Sequence, residues 1–257
     1  AAFNLKINLS DFSCIDEYIR IGKQHKASLS KFAQRELDSF ILSDEVLDGK
    51  KLSEAWFKNL DSDIFISHSH NDCELAFALA GWLKKEFSLE VFLDEVVWGS
   101  ADELLKKLDD KYCYQKNTET YNYYKRNFTT SHVHAMLSTA IQTVMDNSEA
   151  IFFLDTEESF PSISNVLKEN NEYTLSPWIY QEVLNAKLLR RVEWTIYRKK
   201  RTLKHSLYES SSDSLNIAYK TPINDFTILD SAILSDWKEK HSCVKKRPYG
   251  GLFTETY

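Results

Sequence analysis

The stretch that decides the fold lies at residues 63–94 and reads DIFISHSHNDCELAFALAGWLKKEFSLEVFLD. It opens and closes with short apolar runs, each followed by polar residues, as is typical of buried strands. Between these runs, apolar residues recur at helical spacing over 75–83, and Asn71 or Asp72 is placed to cap the helix. The stretch therefore predicts a β-α-β unit, and such units build parallel sheets.

The same alternation continues further along the chain. A helix with Leu137 and Val144 on one face precedes an apolar strand at 149–155, and Ser176 with Pro177 predicts the start of another helix. Alternating strands and helices predict an α/β protein with a flavodoxin-like parallel sheet flanked by helices. Ligands bind such sheets beyond the carboxyl ends of the strands, a rule that selects Ser67, His68, Asp94 and Asp155.

The remaining segments have weaker patterns. Residues 1–60 are mostly helical in pattern, and we interpret them as a helical extension used for packing or assembly. Residues 95–130 are interpreted as a long irregular segment. The basic run at 190–205 is interpreted as a solvated helix face rather than a phosphate site. A further strand is predicted at 215–219 and a closing helix at 226–241.

Composition excludes several classes of function. The formal net charge of −6 is unlike that of a nucleic-acid-binding protein. No apolar run approaches the ~18 residues of a membrane span, and the first residues lack the apolar core of a signal peptide. The four cysteines form no CxxC pair, which fits a reducing cytoplasm. The histidine pairs 68/70 and 132/134 lie in a loop and at a helix start, so their spacing predicts no metal site.

The segment with the clearest chemical content is Trp178-Ile179-Tyr180-Gln181-Glu182. On a helix, Trp178 and Glu182 share one face, because residues four apart are neighbours. The indole ring would provide an apolar wall, and the carboxylate would accept hydrogen bonds from sugar hydroxyls. Taken alone, the pair is better explained by a surface carboxylate beside a packed tryptophan.

In combination, four blocks resemble those of TIR (Toll/interleukin-1 receptor) domains. The first block resembles the opening strand and loop, the second the strand that leads into the BB loop, the third a helix and strand, and the last the S-x-W-x-x-x-E block of enzymatic members. These blocks lie, in order, at residues 63–68, 92–94, 136–154 and 176–182. The resemblance covers about residues 61–240 and is strongest to bacterial TIR proteins of antiviral defence. It implies an N-terminal extension at 1–60 and a TIR domain at 61–257.

The resemblance implies cleavage of the bond between nicotinamide and ribose in NAD, which is a substrate and not a cofactor. It assigns the catalytic carboxylate to Glu182 and the ribose wall to Trp178. By the same resemblance, the substrate would be bound by Ser67, His68 and Ser69 after the first strand and by Phe92, Asp94 and Trp98 at the nicotinamide end. The product would be ADP-ribose, a cyclic form of it, or ADP-ribose transferred to an acceptor.

Two departures from the family pattern concern the substrate loop. Trp98-Gly99 stands where a Pro-Gly pair is common, and the insertion at 100–130 is longer than usual. The resemblance also implies self-association through TIR domains and a possible downstream effector protein. Two alternatives remain open, namely a non-enzymatic TIR interaction module and an enzyme resembling nucleoside deoxyribosyltransferases.

Overall fold

Strands and helices alternate through the part of the chain that the structure describes. The computed structural model describes residues 1–29, 37–43, 46–57, 61–161, 173–189 and 219–243. The strands are β1 (Ala2–Lys6), β2 (Ile41–Ser43), β3 (Val46–Leu47), β4 (Ile64–Ser67), β5 (Val91–Leu93), β6 (Tyr114–Gln115), β7 (Thr120–Tyr121), β8 (Ala150–Leu154), β9 (Tyr173–Thr174), β10 (Tyr219–Lys220) and β11 (Thr227–Asp230). The α-helices are α1 (Ile15–Leu29), α2 (Gly49–Trp56), α3 (Cys73–Phe87), α4 (Glu95–Tyr112), α5 (Tyr123–Asn147), α6 (Pro177–Leu188) and α7 (Ser231–Cys243).

Five of the strands form one parallel sheet in the order β11-β1-β8-β4-β5. Every residue of β4, β5 and β8 is buried. A parallel sheet is buried on both faces because its crossover helices cover it, and its strands are therefore apolar throughout. The predicted α/β class, with a parallel sheet flanked by helices, is confirmed. The other described strands pair as three short antiparallel ribbons, β2 with β3, β6 with β7 and β9 with β10.

The interpretation of residues 1–60 as a helical extension needs correction. Its helical part is real, since α1 lies where the pattern around Ile15 and Tyr18 predicts a helix. However, β1 is an internal strand of the main sheet, and Phe3 pairs with Phe152 on one side and with Thr227 on the other. A five-residue strand with three apolar residues, next to a helical pattern, carries little strand signal of its own. Its conformation is determined by pairing with partners almost 150 residues or more away in the chain.

The strand order agrees in part with a flavodoxin-like sheet. In the order 2-1-3-4-5, the first strand lies between the second and the third, and β4 lies in the same way between β5 and β8. The next position, however, is occupied by β1, which comes from the start of the chain and not from a segment after β8.

Three other segments differ from their predictions. Residues 95–130 are not irregular, because α4, a short hairpin of β6 and β7, and the start of α5 occupy them. Val96, Ala101, Leu104 and Leu108 are buried along one side of α4, a helical spacing hidden among charged residues. The helix predicted at 226–241 begins only at Ser231, since β11 precedes it. The basic run at 190–205 and most of the strand predicted at 215–219 lie outside the described residues.

Helices α1 and α3 cross at unusually close range through two glycines. A Cβ atom added at Gly22 would overlap the carbonyl oxygen of Phe77, and one added at Gly81 would overlap that of Tyr18. The two backbones thus meet reciprocally, which makes α1 part of the packed fold. None of the described helices has the length and apolar character needed to cross a membrane.

Candidate active site

The carboxyl ends of three neighbouring strands meet at one edge of the sheet. Ile66 of β4 is in register with Leu93 of β5, and Ser67 is in register with Phe153 of β8. The residues that follow these strands, among them His68 and Asp94, therefore start at a similar height. Ligands of parallel sheets bind beyond the carboxyl ends of the strands, so the sequence predicts the site at this edge.

Helix α6 brings Glu182 to the same edge. Ser176 caps the helix by accepting a hydrogen bond from the Ile179 amide, and Pro177 occupies the first turn, as the sequence predicts. Glu182 is only 1% exposed. Its Oε2 accepts a hydrogen bond of 2.6 Å from the Ser67 hydroxyl. Two predicted site residues that are 115 positions apart in the chain are thus in direct contact.

His68 and Asp94 form a second buried pair beside Glu182. The Nδ1 atom of His68 lies 2.7 Å from Oδ1 of Asp94, and the two side chains are 1% and 5% exposed. The ring N–H is poorly aligned with this oxygen, so the contact is an ion pair more than a hydrogen bond. The backbone amide of His68 also donates to Oδ2 of Asp94 at 3.2 Å. Asp94, which follows β5, therefore contacts both the ring and the backbone of His68, which follows β4.

The charges of these groups are coupled because all of them are buried. Burial raises the pKa of Glu182 well above its usual value, and the negative charge of Asp94 raises it further, against the opposing effects of Ser67 and His68. Burial lowers the pKa of His68, but the charge of Asp94 and its contact with the ring outweigh burial and raise that pKa to about 10. The site thus favours the protonated form of Glu182 and the cationic form of His68.

The two oxygens of Glu182 differ in their contacts. Its Oε1 atom is buried and has no hydrogen-bond partner among the described residues, while Oε2 is held by Ser67. Buried polar atoms are nearly always hydrogen-bonded, so an unpaired one indicates a place where a ligand or water binds.

Trp178 packs with aromatic rings of the neighbouring helices. Its ring lies edge-on to Trp98 of α4 at a centroid distance of 4.3 Å and to His134 of α5 at 5.2 Å. Burial lowers the pKa of His134, which favours the neutral ring in this cluster. Trp178 and Glu182 lie one turn apart on α6, as predicted. Trp178 contacts Trp98 and His134, whereas Glu182 contacts Ser67.

Other residues selected from the sequence lie apart from this centre. Phe92 is a core residue of β5 whose ring stacks on Phe65 at 5.6 Å, so its side chain faces the interior. Ser69 donates its backbone amide to the hydroxyl of Ser159, in the loop after β8. Asp155, the remaining carboxylate at a strand end, has a separate set of partners on β1.

Those partners of Asp155 were missed by sequence reasoning. Asn4 donates to Oδ2 of Asp155 at 2.9 Å, and Lys6 lies 3.5 Å from the same oxygen. Asn4 and Lys6 both belong to residues 1–60, for which the sequence pattern predicts mostly helix. Cys73 and Glu95 are two further residues near this edge that sequence reasoning missed, and Cys73 Sγ lies 3.3 Å from Glu95 Oε2. Each directly follows the polar residues at the end of a strand, and that position is the one signal in the sequence that points to them.

Comparison of the chain with models of protein families, with curated proteins and with solved structures found no match in any of the three. The resemblance to TIR domains therefore rests on the sequence blocks alone. The site itself consists of two buried contacts, one between Ser67 and Glu182 and one between His68 and Asp94.

Proposed function

We propose that this protein is a TIR-type NAD glycohydrolase or cyclase in which Glu182 is the catalytic carboxylate. The observation that carries the proposal is the buried carboxyl group of Glu182 at the carboxyl edge of the parallel sheet, with one oxygen held by Ser67 at 2.6 Å and the other unpaired. The unpaired oxygen has the chemistry to accept a hydrogen bond from a ribose hydroxyl once the site is open.

The chemistry needs little from the protein besides this carboxylate. The bond between ribose C1′ and the nicotinamide nitrogen breaks, and its electron pair neutralises the positive ring, so no acid is required to protonate the leaving group. The ribose passes through an oxocarbenium-like state that a nearby anion stabilises. Water then adds to C1′ and loses a proton, giving ADP-ribose, or an internal nucleophile gives a cyclic product.

The raised pKa of Glu182 is compatible with this role. In the free protein, burial and Asp94 favour the protonated form. A bound nicotinamide ring carries a positive charge, and an opposite charge a few ångströms away favours the carboxylate. Substrate binding would therefore favour the ionised form of Glu182 that the reaction uses.

Glu182 is 1% exposed, so a substrate reaches it only if the surrounding structure changes. The contact between Trp98 and Trp178 joins α4 to α6 near the start of α6. We propose that α4 moves away from α6 when TIR domains self-associate, which exposes Glu182 and leaves Trp178 to flank the nicotinamide ribose. Activity would then depend on protein concentration. His68 and Asp94 would hold the loop that carries Ser67 and Ser69 against the substrate.

A second function is favoured by one specific observation. Because Glu182 is 1% exposed, it can also be understood as part of a structural polar network in a non-enzymatic TIR interaction module. In that case, replacing Glu182 would change stability and no chemistry would be lost.

The test is NAD turnover by the purified chain and by Glu182→Gln. At high protein concentration, we expect the parent chain to release nicotinamide. We expect Glu182→Gln, which keeps the size of the side chain, to reduce the rate at least ~100-fold, as for loss of one group that stabilises charge in a transition state. Chromatography of the products distinguishes ADP-ribose from a cyclic form.

Glu149→Gln is the matched control, because Glu149 is exposed at the opposite end of β8. It should leave the rate unchanged. Absence of nicotinamide release by the concentrated parent chain would rule the enzyme out, and equal rates for the parent and Glu182→Gln would remove Glu182 from the mechanism. Cleavage of a deoxynucleoside without cleavage of NAD would favour an enzyme resembling nucleoside deoxyribosyltransferases.

A further inference from the structure

Three residues with different ligand atoms converge between the end of β4 and the starts of α3 and α4. They are His68, Cys73 and Glu95, and one ligand atom from each lies within 4.8 Å of the other two. Histidine nitrogen, cysteine sulfur and carboxylate oxygen are the three kinds of atom that bind zinc in proteins. The cluster joins three segments of chain that only the fold brings together.

The distance between two of these ligand atoms matches that of a metal site. Cys73 Sγ lies 3.3 Å from Glu95 Oε2. Bonds of about 2.0–2.3 Å in a tetrahedral zinc site place the ligand atoms roughly 3.3–3.8 Å apart. His70 is a candidate for the fourth ligand, since its Nδ1 lies 3.9 Å from Cys73 Sγ and 4.0 Å from Glu95 Oε1. The side chain of His70 is 85% exposed and is therefore free to turn toward a bound ion.

A second observation points to a ligand. The ring nitrogens of His68 are buried and have no hydrogen-bond partner among the described residues. Nδ1 faces Asp94 at 2.7 Å, which leaves Nε2 as the ligand atom. In many zinc sites a histidine contacts a carboxylate with one ring nitrogen and the metal with the other. The Glu95 carboxylate also has a partner that orients it, because Lys26 Nζ lies 2.8 Å from its Oε1.

We propose that His68, Cys73 and Glu95 bind a zinc ion, with His70 or water as the fourth ligand. Binding replaces one proton on the His68 ring and one on the Cys73 thiol by a dication, so the total charge of the cluster does not change. A nucleophilic role for Cys73 fits less well, because its thiolate would face the Glu95 carboxylate, whereas a cation between them removes that repulsion. The expectation of no metal site rested on the spacing of histidines and of cysteines taken separately, and it did not consider His68, Cys73 and Glu95 together.

The experiment is titration of the purified, reduced chain with Co²⁺, which takes the place of zinc and is coloured. We expect one ion per chain, with a thiolate-to-cobalt charge-transfer band and the intense visible bands of tetrahedral cobalt. Zn²⁺ should displace the cobalt and abolish both signals. Cys73→Ser should lose the charge-transfer band. Asp94→Asn should weaken binding by about 10–100-fold, as for other groups that contact a zinc ligand without contacting the ion.

Cys14→Ser is the matched control, since Cys14 is an exposed cysteine on another part of the surface. It should bind cobalt like the parent chain. The proposal is overturned if the parent chain gives no charge-transfer band, or if Cys73→Ser keeps the band while Cys14→Ser loses it. Glu95→Gln tests the site without touching a cysteine, and unchanged affinity in that variant would also overturn the ligand set. None of these results depends on NAD cleavage.

Discussion

At the scale of single residues, the contact between Ser67 and Glu182 is the best-defined feature of the site. Its hydrogen bond of 2.6 Å is buried, and Glu182 has no second partner among the described residues. A buried carboxyl group is costly unless it is hydrogen-bonded. The contact is therefore important to folding as well as to any chemistry.

We expect Ser67→Ala to lower the free energy of unfolding by about 1–3 kcal/mol, because it leaves the Glu182 carboxyl group buried without a partner. Urea denaturation measures the change. Ser13→Ala is the control, since Ser13 is exposed and its only described contact is a 4.0 Å approach to Cys14. A loss no larger than in this control would mean that the hydrogen bond contributes nothing measurable.

At the scale of elements, the close crossing of α1 and α3 decides how the start of the chain packs on the sheet. Tyr18 strengthens the crossing, because its hydroxyl donates to Glu86 of α3 at 2.7 Å. Lys238 of α7 lies 3.1 Å from the same carboxylate. Three helices that are distant in the chain thus meet at one charged group.

We expect Gly22→Ala and Gly81→Ala each to destabilise the protein by about 1–3 kcal/mol or more, because the new methyl group would overlap a backbone carbonyl of the facing helix. Thermal denaturation monitored by circular dichroism measures this. Gly99→Ala is a matched control within α4, where an added Cβ meets nothing within 4 Å. It should stabilise the protein by roughly 0.5–1 kcal/mol, as alanine does in a helix interior. Equal effects at all three glycines would contradict the close crossing.

At the scale of the whole molecule, β1 makes the start of the chain part of the sheet. It pairs with β8 on one side and with β11 on the other, and its first four residues are buried. Without β1, each of these neighbours would have an unpaired edge. The apolar residues of the β8 edge would be exposed to water.

We therefore expect a chain reduced to residues 61–257, the predicted extent of the TIR domain, to fail to unfold cooperatively in urea. Leu5→Ala in the full chain tests the same packing of β1 without removing the strand. Leu5 is fully buried, so its replacement should cost about 2–5 kcal/mol. A shortened chain with a sharp unfolding transition would show that residues 1–60 are an independent extension after all.

The sequence by itself determined the parts of the fold that depend on neighbouring residues. The β4-α3-β5 unit, strand β8 and the Ser176 cap of α6 follow from apolar periodicity and capping, which act over a few residues. The same patterns predicted that Ser67, His68 and Asp94 lie near one another. The hydrogen bond of Ser67 with Glu182 was not predictable. Periodicity placed Glu182 only on a helix face shared with Trp178, and the family resemblance placed Ser67 and Glu182 in one substrate site without a contact between them.

Only the tertiary structure decided the place of β1, the helical nature of residues 95–112 and the cluster of His68, Cys73 and Glu95. The strand character of β1 comes from hydrogen bonds to partners far along the chain, which no local pattern records. The cluster likewise combines residues from three segments. Local sequence determines which conformations a segment favours, whereas long-range packing determines which segments become neighbours, and that packing brings together the residues on which the proposed chemistry depends.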